Sequence, residues 1–244
     1  MTFEPTEFYD DPDVSHAYLE GRASADDGNA TIEEPRVLTM LGAMTGARIL
    51  DLGCGDGRFA VHAEKDGAAS YHGVDGSRRM LNLARARSRW TAATWEEADL
   101  EQWSGPAASY DVVVSRMTMH YIAGLERLLS NVRAALRPQG EFVFSVEHPM
   151  VTCFDNGDFR QRVPDQWLVR DYFLSGRRTC HWLDQDVYKQ HRTLSEYLRL
   201  LHAAGFSWRA IDEGEPDAHR FQDPEIYAAR RSIPMYLMVA AVPV

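Results

Sequence analysis

The stretch ILDLGCGDGRFA, residues 49–60, constrains the fold more than any other part of the chain. An apolar run through Asp51 and Leu52 meets Gly53, Gly55 and Gly57, and helix-forming residues follow. Glycine takes left-handed backbone conformations at little steric cost. The spacing therefore predicts a sharp turn from a buried strand into a helix. A turn of this kind lets the backbone come close to a nucleotide.

The flanking sequence alternates strand and helix signals. RILDLG (48–53), YHGVDG (71–76), TWEEADL (94–100), YDVVVSRM (110–117) and GEFVFSVE (140–147) read as strands. Val112, Val113 and Val114 run continuously, as expected of a strand buried on both faces. RFAVHAEKDGA (58–68), SRRMLNLARARS (77–88) and LERLLSNVRAAL (125–136) read as helices. Gly67 ends the first, Ser77 caps the second, and Pro138 and Gly140 stop the third. TLSEYLRLLHAAGF (193–206) adds a helix, and SWRAIDEG (207–214) and MYLMVAAV (235–242) add strands. This alternation predicts an α/β, doubly wound, mostly parallel sheet with helices on both faces. Ligands in such sheets bind beyond the carboxyl ends of the strands.

Four regions are expected. Residues 1–35 carry one or two short helices. Residues 36–150 form the α/β core, and residues 191–244 complete it. Residues 151–190 break the rhythm with Trp167, Tyr172, Phe173, Trp182 and Tyr188 among many charges. That composition is too aromatic for a disordered linker and predicts a cap over the ligand edge.

Charge and cysteine content narrow the function. The chain of 244 residues has a formal net charge of -10, opposite to what a nucleic-acid binder needs. Its richest basic run, RRMLNLARARSR (78–89), falls on an expected helix and reads as a solvated face. No nucleic-acid or membrane partner is expected. Cys54, Cys153 and Cys180 lack metal-ligand spacing, so neither a disulfide framework nor a zinc site is expected. The opening MTFEPTEFYDDPD is acidic and has no apolar core, which predicts a cytoplasmic protein with reduced thiols.

The glycine spacing is Gly-x-Gly-x-Gly. A dinucleotide fingerprint wants its third glycine at position 58, where Arg58 stands. A carboxylate at Asp51 repels a pyrophosphate but suits an ammonium group. Asp75 ends the second strand, where a carboxylate accepts from ribose hydroxyls. Asp99 ends the third, within reach of an adenine amino group.

Taken together, ILDLGCGDG, GVDGS, ADL, YDVVVSRMTMHY and LRPQGEFVFS resemble the class I S-adenosylmethionine-dependent methyltransferases. SVEHP, the aromatic segment and HRTLSEYLRLLHAAGF look like a bacterial small-molecule branch. The resemblance implies a seven-stranded Rossmann-like sheet whose last strand is antiparallel. It also implies S-adenosylmethionine as cofactor, with S-adenosylhomocysteine as product and a small-molecule methyl acceptor. By the same resemblance Asp51, Gly53 and Gly55 lie by the methionine moiety. Asp75 holds the ribose, with Gly76, Ser77 and Met80 beside the adenosine. Asp99 and Leu100 read adenine, and Ser115 and Arg116 run under the methionine carboxylate. In the family an N-terminal tyrosine closes over the cofactor, so Tyr9, Tyr18 and Arg22 are either part of such an N-terminal lid or core residues of an amphipathic surface helix. Gln139 departs from the family's LRPGG turn.

Methyl transfer is an in-line displacement that needs alignment of the acceptor about 3 Å from the methyl carbon, and no metal. His120 is either a base or orienting group or a structural histidine on a loop carbonyl. Glu147 and His148 either face the acceptor or hold a turn with Pro149. Tyr9 joins the two histidines as a catalytic candidate. Trp167, Tyr172 and Trp182 either wall the acceptor or pack the cap. Two other functions fit the same glycines: a nicotinamide-dependent reductase, and a non-catalytic S-adenosylmethionine-binding protein. The first is disfavoured by Arg58, by Asp51, and by the lack of a Tyr-x-x-x-Lys pair after the fourth strand.

Overall fold

The computed structural model describes residues 2–154 and 169–244. A short strand β1 (Thr2–Phe3) leads into helices α1 (Pro5–Asp10) and α2 (Pro12–Arg22), followed by a π-helical turn (Asn29–Glu33) and α3 (Glu34–Leu41). The alternating core then runs β2 (Arg48–Leu52), α4 (Arg58–Lys65), β3 (Ser70–Asp75), α5 (Arg78–Arg87), β4 (Ala93–Glu97), β5 (Tyr110–Arg116), α6 (Leu125–Ala135) and β6 (Leu136–Glu147). A single turn, α7 (Pro149–Thr152), precedes the hairpin β7 (Gly176–Trp182) and β8 (Gln185–His191). The chain ends with α8 (Leu194–Ala203), β9 (Phe206–Asp212), α9 (Pro224–Arg230) and β10 (Tyr236–Pro243).

Seven strands form one sheet in the order β4-β3-β2-β5-β6-β10-β9. Neighbours among β2 to β6 pair in parallel, while β10 pairs antiparallel with both β6 and β9. The expected Rossmann-like sheet with an antiparallel last strand is what the chain builds. The chain leaves β2 toward one sheet edge and returns at β5 to build toward the other. That reversal opens a crevice beyond the carboxyl ends of β2 and β5.

The period of two along each strand separates two cores. Leu50, Leu52, Val113, Phe142, Phe144 and Val239 pack under α6 and α8. Ile49, Val114, Val143, Met238 and Ala240 pack under α3, α4 and α5. The β7–β8 hairpin stands outside the main sheet and takes β1 as a third strand. Phe8, Val14, Cys180 and Val187 join the N-terminal helices to this hairpin in a third, smaller cluster.

Capping behaves as the sequence predicts at Ser77, and Thr193 caps a second helix. Ser77 Oγ accepts from Met80 N at 3.1 Å, and Thr193 Oγ1 accepts from Glu196 N at 3.1 Å. The LRPQG segment differs from expectation. β6 begins at Leu136 and passes through Pro138, with a register shift opposite Tyr110 and Val112. Proline is tolerated at such an irregularity because no ladder hydrogen bond is required of it there. Helix α9 is also additional to the expected elements, although Asp223 and Pro224 form a legible start. Among the described residues no helix is long and apolar enough to cross a membrane.

Phe142 stacks on Phe144 at 5.3 Å and meets Phe206 at 5.7 Å in the core. Phe142→Ala is expected to cost about 3–5 kcal/mol by cavity formation. Urea denaturation checks this through a lower midpoint at constant slope.

Candidate active site

A cavity of about 890 Å³ occupies the crevice. Its floor is the glycine turn. Gly53 has φ +80°, and a Cβ there would sit 2.0 Å from Thr118 Oγ1. The chain from β2 thus lies against the chain leaving β5 with no room for a side chain. Gly55 has φ +53° and open space where its Cβ would stand. Its N–H donates to Asp75 Oδ2 at 2.8 Å, while Ser77 N donates to Asp75 Oδ1 at 2.8 Å. Burial raises the Asp75 pKa above its ordinary value, and these two N–H groups oppose the shift. Each Asp75 oxygen keeps a lone pair for a further donor. Gly76, Met80, Asp99 and Leu100 continue the wall at this end of the cavity.

The N-terminal helices are latched onto the same place. Asp10 Oδ1 accepts from Ser77 Oγ at 2.6 Å and from Arg79 N at 3.0 Å. Tyr9, Tyr18 and Arg22 line the cavity from this side. Arg22 is paired with Asp27.

Beside the glycine turn lies a recess of about 60 Å³ that holds Asp51, Arg22, Arg116 and Glu33. Asp51 Oδ2 accepts from the Tyr71 hydroxyl at 2.5 Å, and its Oδ1 is buried without a partner. Burial pushes the Asp51 pKa up to about 7, against the Tyr71 hydrogen bond and Arg116. Arg22 Nε is likewise buried without a partner. Arg116 Nε donates to Glu33 Oε1 at 3.1 Å, and Ser145 Oγ donates to the same oxygen at 2.6 Å. Burial works against the Arg116 charge, but Glu33 and Glu34 outweigh it and keep the guanidinium ionised.

The opposite end of the cavity is aromatic. The Tyr9 and Tyr121 hydroxyls are 3.2 Å apart, and the Tyr9 and Tyr18 rings meet edge-on at 5.4 Å. His120 is 1% exposed and lines the cavity. Its Nδ1 accepts from Glu147 N at 3.3 Å. Burial, with Lys189 and Arg192 nearby, holds its pKa down at about 4, against the pull of Glu147. Glu147 Oε1 accepts from Lys189 Nζ at 2.6 Å. Burial opposes the Glu147 charge, yet Lys189 and His120 hold its pKa below the ordinary carboxylate value. Lys189 comes from the hairpin, is 3% exposed, and lies 5.6 Å from the Trp182 ring. Trp182 itself lines the cavity.

Some expected site residues sit elsewhere. Ser115 is fully buried and donates through Oγ to Leu52 O at 2.8 Å, so it ties β5 to β2 instead of facing the cavity. His148 accepts from Met150 N at 3.1 Å as the cap of α7, and its Nε2 lies 2.9 Å from Glu213 Oε1. Both ring nitrogens are therefore engaged away from the cavity. The Tyr172 carbonyl accepts from His191 Nε2 at 2.9 Å, and the Tyr172 ring meets the His191 ring at 5.8 Å. Trp167 lies outside the described residues. Glu33, Tyr121 and Lys189 were not foreseen. Tyr121 follows His120 directly, which is a readable signal, but Glu33 and Lys189 reach the site only through tertiary folding.

Residues 25–210 match the model of a methyltransferase domain family. The chain belongs to this family. It is 33% identical to an S-adenosylmethionine dependent methyltransferase of Mesorhizobium loti, with a TM-score of 0.77 over 91% of this chain and 99% of the other. It is 30% identical over 229 residues to an uncharacterised protein of Haemophilus influenzae, covering 84% of this chain and 85% of the relative. It is 36% identical over 169 residues to the trans-aconitate 2-methyltransferase of Streptomyces avermitilis, covering 65% of this chain and 57% of the relative. The methyltransferase uses S-adenosylmethionine as its cofactor. The recess fits that group. A zwitterionic amino-acid end offers an ammonium and a carboxylate, and the recess holds one unpartnered acceptor on Asp51 and one unpartnered donor on Arg22.

Lys189→Met leaves the Glu147 carboxylate largely buried and unpaired. It is expected to cost about 3–5 kcal/mol in urea denaturation, and Lys189→Met with Glu147→Gln is expected to recover much of that loss. A double-variant loss equal to the sum of the losses in Lys189→Met and Glu147→Gln alone would show that the pair is not coupled.

Proposed function

We propose that this methyltransferase moves a methyl group from S-adenosylmethionine to nitrogen or oxygen of a small molecule. The observation that carries this reading is the continuity of the cavity. One space runs from Asp75 and Asp99 to Tyr9, His120 and Glu147, walled by the N-terminal helices, the hairpin tip and α9. A cavity walled on these sides suits a small acceptor better than a folded macromolecule. The net charge of -10 also opposes RNA. The name of the Streptomyces relative points to a small acid as its own acceptor. The wide spacing of the three cysteines in the sequence accords with thiols kept reduced in a cytoplasm.

The cofactor, when bound, supplies an electrophilic methyl carbon on a sulfonium centre. In this reading Asp51 and Arg22 take the ammonium and carboxylate of its amino-acid end, over the glycine backbone. Asp75 accepts from the ribose, with Gly76, Ser77 and Met80 alongside, and Asp99 and Leu100 meet the adenine. Arg116 supports the recess from below through its pairing with Glu33. Tyr9, Tyr18 and Trp182 exclude water at the acceptor end. His120 and Glu147 orient the acceptor. Held alignment of this sort supplies much of the rate in a displacement reaction.

Two measurements test this. Methyl-labelled cofactor is incubated with the enzyme and either the small-molecule fraction of a boiled cell extract or purified tRNA. Label is expected in a small molecule; label in tRNA alone, or in neither, overturns the reading. The second is titration calorimetry with S-adenosylhomocysteine between pH 6 and 8. A carboxyl group whose pKa is raised by folding costs stability as pH climbs from the ordinary carboxylate range toward 7. An ammonium ligand favours the ionised form. Affinity is therefore expected to fall below pH 7, approaching tenfold per unit. Asp51→Asn is expected to flatten that slope, and an unchanged slope in the variant would remove Asp51 from the ammonium site.

A further inference from the structure

Among the described residues, the acceptor end of the cavity displays protons and no group placed to act as a base. His120 carries this point. A backbone N–H cannot accept a hydrogen bond, so the Glu147 N–H fixes the lone pair of His120 on Nδ1. The neutral imidazole then holds its proton on Nε2. No hydrogen bond among the described residues engages Nε2, and His120 lines the cavity. General-base catalysis needs a lone pair facing the acceptor, and His120 presents a hydrogen there.

The other groups agree. The Tyr9 and Tyr121 hydroxyls hydrogen bond to each other, and one hydroxyl of such a pair keeps a hydrogen free for a third partner. Burial raises the pKa of both phenols, so both stay protonated. Glu147 is an ionised carboxylate neutralised by Lys189, too weak a base for an alcohol, a phenol or an ammonium group. His181, at the rim, turns Nδ1 to Asp186 at 3.0 Å and lies 4.0 Å from Asp184 through Nε2. The groups around His120 are thus Glu147, Lys189, Arg192 and Tyr121, and none of them takes a proton from the acceptor.

Building on the small-molecule reading, we propose that the acceptor is a carboxylate, held by the N–H of His120 and the hydroxyl pair of Tyr9 and Tyr121, and that the product is a methyl ester. A carboxylate arrives without a proton to lose. One of its oxygens forms the bond to the methyl carbon, and the carbon–sulfur electron pair stays on sulfur as neutral S-adenosylhomocysteine leaves. A cation and an anion give two neutral products, and no proton moves. His120 is a positioning residue for the second oxygen, since a donor on the attacking oxygen would weaken the nucleophile.

The test reads the chemistry of the label and the tautomer of His120. In the labelled-cofactor assay with the extract fraction, with benzoic acid and trans-aconitic acid as carboxylate probes and benzylamine and phenol as rivals, the transferred label is expected to be released as methanol by mild alkali. Transfer to a small molecule with label stable to alkali leaves the small-molecule reading standing and overturns the carboxylate. Independently of turnover, nitrogen-15 NMR of the S-adenosylhomocysteine complex is expected to show His120 protonated on Nε2 only. A proton on Nδ1 overturns the donor role. His120→Leu is expected to lower kcat/KM roughly 10- to 100-fold, the worth of a hydrogen bond to a charged group. His120→Gln, which keeps an N–H donor, is expected to restore most of the rate, and both variants should bind S-adenosylhomocysteine within about twofold of the parent. Equal loss in the two variants would make His120 merely structural.

Discussion

The close passage of two backbones at the switch point organises the molecule. Gly53, leaving β2, lies against Thr118, just past the end of β5, with less space between them than one methyl group. Gly53 N and Cys54 N donate to Val74 O at 2.7 and 3.1 Å, which binds the turn to the end of β3. Three strand ends are therefore held together by contacts that tolerate no side chain at position 53. The crevice above them follows from that closeness, and so does the aim of the Gly55 N–H at Asp75.

Three segments added to the sheet are each secured at its carboxyl edge by charged or polar pairs. The π-helical turn delivers Glu33 to Arg116. The hairpin delivers Lys189 to Glu147. The N-terminal helices deliver Asp10 to Ser77 and Arg79. Pairs of this kind contribute little net stability when buried, because desolvation offsets attraction. Their effect is geometric. Each one fixes where a separate segment meets the end of a particular strand, and the cavity is the space those segments enclose. The polarity of its two ends differs accordingly. The recess beside the glycine turn contains buried polar atoms without a partner on Asp51 and Arg22, whereas at the aromatic end Tyr9 pairs with Tyr121 and Glu147 with Lys189.

The sheet was readable because its signals are local and redundant. Apolar runs, Ser77 as a cap, and Gly53 to Gly57 all point the same way. Asp75, Asp99 and Glu147 were readable as strand-end residues, since a parallel sheet puts its strand ends on one edge. Ser115 and His148 show the limit of that argument. Alternation along β5 turns Ser115 inward to Leu52 O, and Pro149 starts a turn that His148 must cap. Neither outcome depends on position at a strand end. Asp223-Pro224-Glu225 carried a helix-start signal that the strand-and-helix rhythm overshadowed.

The amino-acid sequence by itself determined the order of strands and helices, the glycine turn, and the carboxylates along its edge. Periodicity and steric freedom at glycine act over a few residues and leave their mark in the chain. Tertiary structure alone decided which groups face each other across the cavity. Glu33 and Arg116 are separated by 83 residues, and Tyr9 and Tyr121 by 112. It also decided that His120 donates into the cavity, because the N–H that sets its tautomer belongs to the end of another strand. Proton position and charge state depend on the partners that folding brings within hydrogen-bond distance, and no local pattern encodes those partners.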